Sequence, residues 1–225
     1  RLICIQDTRG TTQNNFVLPI KNDTMEKIMK FIGVTGGVGA GKSTVLTYLQ
    51  EHYHCRVVLA DDLAKSMMQP GSICYTALVT LLQPYQVLDE QGNIEKEAMA
   101  RLLFSDDAVR TQVNQIVHPA VKKSVLQQVK EAREQGELDY FFFEAALLLE
   151  EHYDEVCDEL WYIYASKEER RMRLKRDRGY SDAKIDAIFA SQMSEEAFRS
   201  ACAHVIDSSG TMEETQAQVR AILDA

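Results

Sequence analysis

Residues 31–44 decide the fold, and they read Phe31-Ile32-Gly33-Val34-Thr35-Gly36-Gly37-Val38-Gly39-Ala40-Gly41-Lys42-Ser43-Thr44. A short apolar run of strand length leads into a glycine-rich turn, and the turn has the spacing G-x-x-x-x-G-K-[ST]. Behind the turn, apolar side chains recur at helical spacing from Val45 to Tyr53, which predicts an amphipathic helix over 41–53. A strand, this turn and a helix in succession are typical of a P loop that binds phosphate groups.

Each residue type in the turn has a physical reason to be there. Glycines let backbone N–H groups wrap around a phosphate, and the N-terminus of the following helix adds partial positive charge. Lys42 is placed to reach the β and γ phosphates, and the Ser43 hydroxyl is placed to bind Mg²⁺. The predicted phosphate-binding residues are Gly36, Gly37, Val38, Gly39, Ala40, Gly41, Lys42, Ser43 and Thr44.

A second β-branched run, 56–60, stops at Asp61 and Asp62. We expect this run to form a strand beside the P-loop strand, because ligands of open parallel sheets bind beyond the carboxyl ends of the strands. Asp61 is then placed to accept a proton from a hydroxyl that attacks a γ-phosphate. The alternative is that Asp61 caps the N-terminus of a helix over 62–69.

Alternating strands and helices continue to the end of the sequence and predict an α/β fold with a parallel sheet covered on both faces. The polar stretch 1–24 has no clear period, so we expect a leader or flexible tail there and a single domain over 25–225. Further strands are predicted at 140–143, 160–164 and 204–207, and further helices at 73–83, 94–104, 106–134, 167–178, 182–193 and 212–223.

Composition excludes several classes of protein. The chain of 225 residues is 45% hydrophobic and 26% charged, as expected for one globular domain rather than a disordered chain. No apolar run reaches the roughly 18 residues of a membrane helix, and a net charge of -9 argues against nucleic acid as the main partner. Five scattered cysteines without a C-x-x-C pair predict reduced thiols in a cytoplasmic protein.

One basic segment interrupts this acidic chain. Residues 167–178 contain seven Lys or Arg residues against three acids. The segment is either a binding surface for a small anionic ligand or a solvated helix face.

The P loop by itself does not distinguish a kinase from a GTPase or a motor. The N-K-x-D motif of GTPase base recognition does not occur in the sequence. A hydrolase motor usually shows an apolar strand that ends in Asp or Asp-Glu, and the nearest candidates are Glu144 and Glu150. A small-molecule kinase is therefore favoured.

Several motifs in order resemble the bacterial dephospho-CoA kinase family. They are G-G-V-G-A-G-K-S-T, L-A-D-D-L-A-K, H-P at His118, A-L-L-L-E, R-L-K-R-D-R-G-Y-S and H-V-I-D-S-S-G, which together span the chain from about residue 30. The resemblance implies a P-loop kinase fold of nucleoside-monophosphate-kinase type with a five-stranded parallel sheet, a helical substrate domain and a lid. It also implies transfer of the γ-phosphate of ATP, with Mg²⁺, to the 3'-hydroxyl of dephospho-CoA, by a monomer or weak homo-oligomer.

The resemblance assigns further residues to the site. Asp61 corresponds to the presumed base, and Lys42 and Arg178 complete the catalytic set, with Arg178 as the arginine of a lid over about 166–192. A helical substrate-binding insertion is expected over about 62–134. The substrate-binding residues implied are Asp61, Lys65, His118, Ala146, Leu147 and Leu148.

Four positions depart from the family pattern, namely Leu59, Lys65, Ala146 and Ser208. Lys65 keeps a positive charge but lacks the bidentate geometry of the arginine it replaces, and Ser208 weakens an assignment to adenine contact. Two alternatives therefore stay open. One is a P-loop kinase for another small acceptor, such as a nucleotide or sugar acid, and the other is a non-catalytic ATP-binding regulator.

Overall fold

The computed structural model describes residues 28–224, so the leader predicted over 1–24 lies outside the described residues. The strands are β1 (Lys30–Thr35), β2 (Cys55–Leu59), β3 (Tyr140–Glu144), β4 (Glu159–Tyr164) and β5 (His204–Asp207). The helices are α1 (Lys42–His52), α2 (Ala60–Met67), α3 (Tyr75–Leu82), α4 (Lys96–Ser105), α5 (Asp107–Gln135), α6 (Lys167–Arg178), α7 (Asp182–Ser191), α8 (Glu195–Ala201) and α9 (Met212–Leu223).

The described strands form one parallel sheet in the order β2-β3-β1-β4-β5, which confirms the predicted five-stranded α/β fold. The expectation that β2 lies beside β1 was wrong, because β3 lies between them. The physical reason is burial. The aromatic run Tyr140 to Phe143 is buried along its length and needs neighbours on both sides, whereas β2 is partly exposed and suits an edge.

The sheet separates two apolar cores because successive strand residues point to opposite faces. Phe31, Phe141 and Phe143 are fully buried on the face that packs against α5. Phe142 and Trp161 are fully buried on the other face, together with residues of α1 and α9. Within residues 28–224, no helix combines the length and apolar character needed to cross a membrane.

Helix α5 is the longest in the described chain and contributes seven buried residues to the first core. Valines recur every four residues from Val109 to Val129 and all are buried. The Asp106 carboxylate accepts hydrogen bonds from the N–H groups of Ala108 and Val109 at the start of the helix. The helix continues through Pro119 and ends at Gly136, which has a positive φ of 68°.

Two local expectations need correction. Helix α2 begins at Ala60 with Leu59 before it, so Asp61 lies in the first turn of the helix and is neither the end of the strand nor the N-cap. An acid in a first turn is stabilised by the partial positive charge of the helix N-terminus. Helix α8 was not predicted from the sequence, since its seven residues span too few turns to show a period.

Candidate active site

The carboxyl ends of the strands open into a cleft of about 1190 Å³. P-loop residues 38–44 line one side of it, and the start of α2 lines another. Asp61 and Asp62 therefore face the same space as the P loop, although β3 separates the two strands. Ala146 and the end of α6 complete the rim.

Lys42 is held at the base of the cleft by two oxygen atoms. Its Nζ donates a hydrogen bond to the Gly36 carbonyl at 2.8 Å and lies 3.5 Å from Glu144 Oε1. Both charged side chains are less than one fifth exposed. Burial lowers the pKa of Lys42, and the charge of Glu144 opposes that shift; burial likewise raises the pKa of Glu144, and the charge of Lys42 opposes it. This ion pair stabilises the charged form of the lysine that is predicted to meet phosphate.

Glu144 was missed as a site residue from the sequence, where it was considered only as a weak sign of a hydrolase motor. It is the last residue of β3 and pairs in register with Val34 of the P-loop strand and with Leu59 of β2. The available signal was a single acid that ends a fully apolar strand. Only the strand order shows that this strand lies next to the P loop.

Asp61 is exposed to the cleft from the first turn of α2. Its negative charge acts on both members of the buried pair, because it raises the pKa of Lys42 and of Glu144. The cleft therefore places a free carboxylate opposite the P loop, where a proton acceptor is useful.

The beginning of α1 is suited to phosphate and Mg²⁺. The first turn of α1 carries no acidic side chain, and Ser43 and Thr44 are exposed to the cleft. Mg²⁺ prefers oxygen ligands and retains several waters or phosphate oxygens. The Ser43 hydroxyl and the nearby carboxylates are of this kind, while no group of three His, Cys, Asp or Glu residues between 28 and 224 could hold a metal by itself. The donor set fits a cation held mainly by phosphate.

The residues predicted for acceptor binding are not all brought together. Ala146 lines the cleft and Leu147 is 45% exposed, but Leu148 is fully buried in the core.

Lys65 forms an exposed ion pair with Asp62 at 2.8 Å. His118 on α5 makes a 2.6 Å hydrogen bond from Nδ1 to Glu151 Oε1, and neither it nor Lys65 is among the described residues that line the cleft.

The basic segment forms α6, and its charges divide between the cleft and the solvent. Arg176 and Arg178 are exposed at the rim of the cleft, and Arg176 pairs with Asp177. The predicted lid arginine, Arg178, thus faces the space in which a ligand would lie.

Arg173 and Ser208 connect the P loop to α6 and to the end of β5. Arg173 Nη2 donates to the Ser208 carbonyl at 2.6 Å, and the Ser208 hydroxyl donates to the Ala40 carbonyl at 2.6 Å. Ser208 is buried, and its hydrogen bond spans from the end of β5 to the P loop. Sequence reasoning treated Ser208 only as a departure from the family pattern, since a contact between distant segments leaves no local signal.

The chain is similar to known proteins over most of its length. The family model described as dephospho-CoA kinase matches residues 30–214. A dephospho-CoA kinase of Bacillus licheniformis is 34% identical over 194 residues, which are 86% of this chain and 94% of that protein. One from Symbiobacterium thermophilum is 32% identical over 193 residues, covering 86% of this chain and 80% of that protein.

Solved structures show the same fold. A crystal structure of a Thermus thermophilus protein superposes with a TM-score of 0.70 at 27% identity, covering 87% of this chain and 97% of that chain. A dephospho-CoA kinase from Campylobacter jejuni superposes with a TM-score of 0.64 at 18% identity, covering 86% and 96%. At 18% identity, the second match supports the fold alone.

Proposed function

The chain belongs to the dephospho-CoA kinase family, and from that premise we propose how its own residues transfer the γ-phosphate of ATP to dephospho-CoA in the formation of CoA. The observation that carries the proposal is the buried pair of Lys42 and Glu144 in a cleft that Asp61 enters from the opposite side.

On the nucleotide side, the protein binds the phosphates of ATP with groups that carry full or partial positive charge. Backbone N–H groups of residues 36–44 and the N-terminus of α1 bind the phosphates of ATP. Lys42 exchanges its contact with Glu144 for the β and γ phosphates, and its buried position strengthens that interaction because few water molecules compete. Arg178 approaches from the rim and offsets negative charge on the transferred group.

On the acceptor side, the chemistry is one displacement at phosphorus. The 3'-hydroxyl oxygen of the acceptor forms a bond to the γ-phosphorus, and the bond from that phosphorus to the bridging oxygen of ADP breaks. Asp61 accepts the hydroxyl proton, and ADP leaves with the bonding electron pair. Ala146 lines the same cleft as Asp61 and borders the acceptor there.

Mg²⁺ fits this site, with the Ser43 hydroxyl as its protein ligand and the carboxylates of Asp61 and Glu144 within the same cleft. When bound, the ion would neutralise part of the negative charge of the phosphates. We further propose that the enzyme works in the cytoplasm as a monomer or weak homo-oligomer, and sedimentation of the purified chain tests the oligomeric state.

An acceptor panel tests the proposed substrate. The purified full chain is incubated with ATP, Mg²⁺ and either dephospho-CoA, AMP, shikimate or gluconate, and ADP release is measured. We expect turnover with dephospho-CoA to exceed that with each other acceptor. A preference for another acceptor would establish a different small-molecule kinase, and ATP binding without turnover on any acceptor would point to a regulator.

A further inference from the structure

One face of α6 lies directly against the P loop. Arg170, Arg173 and Leu174 are spaced i, i+3 and i+4, so their side chains project from the same side of the helix. A side chain at Gly37 would overlap the Arg170 guanidinium, and a Cβ at Gly39 would lie 3.1 Å from Leu174 Cγ. Glycines at these positions of the P loop therefore leave room for this face of α6, as well as for a phosphate.

Arg170 joins the P loop to α7. Its Nε donates to the Val38 carbonyl at 2.9 Å, and its Nη2 donates to Oε1 of Gln192, the residue after α7. The guanidinium also lies over the Phe189 ring, 4.4 Å from the ring centre. One side chain thus contacts a P-loop carbonyl and two residues of the segment predicted to be the lid.

The electrostatic setting of Arg170 differs from that of its neighbours. Arg171 and Arg173 each form an ion pair with a carboxylate, whereas the described contacts of Arg170 are to neutral oxygens and an aromatic ring. Arg170 is partly buried, and burial lowers its pKa. A cation without an acid beside it leaves its positive charge available to the phosphates bound by the adjacent loop.

We propose that Arg170 and Gln192 are positioning residues for phosphate transfer, in which Gln192 holds the Arg170 guanidinium against the Val38 carbonyl and so sets the P-loop conformation that binds the triphosphate. This role rests on the proposed function, since it concerns the ATP site of that reaction. It explains why α6 and the end of α7, both within the segment predicted as a lid, are joined to the P loop by Arg170.

Four substitutions in the full chain test the proposal. Arg170→Met removes the guanidinium. Gln192→Ala removes only the side chain that accepts a hydrogen bond from Arg170, and Gln192→Glu keeps an acceptor for Arg170 Nη2. Arg171→Gln is the matched control, because Arg171 also joins α6 to α7 through Asp182 and Asp186 but has no hydrogen bond to the P loop. Affinities for ATP and for adenosine are measured by calorimetry, together with kcat and KM for both substrates.

We expect Arg170→Met to weaken ATP binding about 10- to 30-fold, because one charge-assisted contact is lost. Gln192→Ala should weaken it about 3- to 5-fold, because the guanidinium stays but loses the hydrogen bond that positions it. Adenosine affinity and the KM for dephospho-CoA should stay within about twofold of the parent, because neither depends on the triphosphate site. Gln192→Glu keeps an acceptor for Arg170 Nη2 but places an acid beside the guanidinium, so it should also weaken ATP binding, whereas Arg171→Gln should change it less than twofold.

Equal losses of ATP and adenosine affinity in Arg170→Met would overturn the proposal in favour of a structural role. Equal effects of Arg170→Met and Arg171→Gln would show that only net charge matters, which also overturns it. If Arg170→Met does not fold, Gln192→Ala decides, and unchanged ATP affinity there refutes the role of Gln192. Failure of the parent chain to bind ATP would instead refute the proposed function.

Discussion

The two sides of the cleft are built differently. On the nucleotide side, side chains from α6 and from the end of β5 fix P-loop carbonyls, as Arg170 does at Val38 and Ser208 at Ala40. On the acceptor side, Asp61 and Asp62 are exposed, and the ion pair of Asp62 with Lys65 joins residues of the same helix. On the proposed phosphate side, polar contacts of the P loop therefore join distant segments, whereas the ion pair of Asp62 on the proposed acceptor side is local.

This difference separates two tasks. Phosphate binding depends on backbone N–H groups that must already point inward, so a rigid loop lowers the cost of binding. The acceptor is large and must enter and leave, which favours a side that is open to solvent. Substitutions on the nucleotide side should therefore change ATP binding, and those on the acceptor side should change transfer alone.

The largest effect is expected for Lys42→Met. Loss of the buried cation removes its contact with the β and γ phosphates, and Glu144 is then left without its partner near the triphosphate. We expect kcat/KM for ATP to fall about 10³-fold or more. Steady-state kinetics measures this, with the exposed Lys96→Met as a control for loss of one charge. A fall below tenfold would show that Lys42 does not bind the transferred phosphate.

Asp61→Asn tests the acceptor side. We expect kcat to fall about 10²- to 10⁴-fold, the usual contribution of a general base, while ATP affinity changes little. The neighbouring Asp62→Asn is the matched control, because it removes the same charge from the adjacent residue. Comparable kcat values for Asp61→Asn and the parent would refute the assignment of the base.

Glu144→Gln tests the coupling between Glu144 and Lys42 through pH. Burial lowers the pKa of Lys42 and the Glu144 charge raises it, so removal of that charge lowers the pKa further. ATP affinity is lost as pH rises through the pKa of the free lysine, and this loss should begin at a lower pH in the variant than in the parent. Calorimetric titrations between about pH 7 and pH 10 measure it, and coincident profiles would exclude the coupling.

The smallest effect is expected for Ser208→Ala. The Ala40 carbonyl loses one buried hydrogen bond, which costs about 1 kcal/mol of unfolding free energy, and ATP affinity should fall about two- to fivefold. Ser105→Ala is a matched control, because its exposed hydroxyl contacts only its own helix. Chemical denaturation and ATP titration measure both quantities. An ATP affinity equal to that of the control would remove Ser208 from the site.

The chemistry-bearing turn could be predicted because its information is local. Glycine, lysine and serine at fixed spacing determine how the backbone of residues 36–44 can turn and what it can bind. The buried strand Tyr140 to Phe143 was likewise recognisable from its aromatic run. The start of α2 lies two residues before the predicted one, at Ala60 instead of residue 62, because strand and helix meet there without a turn residue between them.

The sequence by itself determined an α/β protein with a P loop and an acid at the start of the following segment, since local spacing encodes both. Tertiary structure alone decided that β3 lies between β1 and β2, that Glu144 meets Lys42, and that Arg170 reaches Val38. These contacts join residues between 85 and 132 positions apart, and burial of both faces of β3 selects its place in the sheet. The periodicity within one segment does not indicate which strands become neighbours.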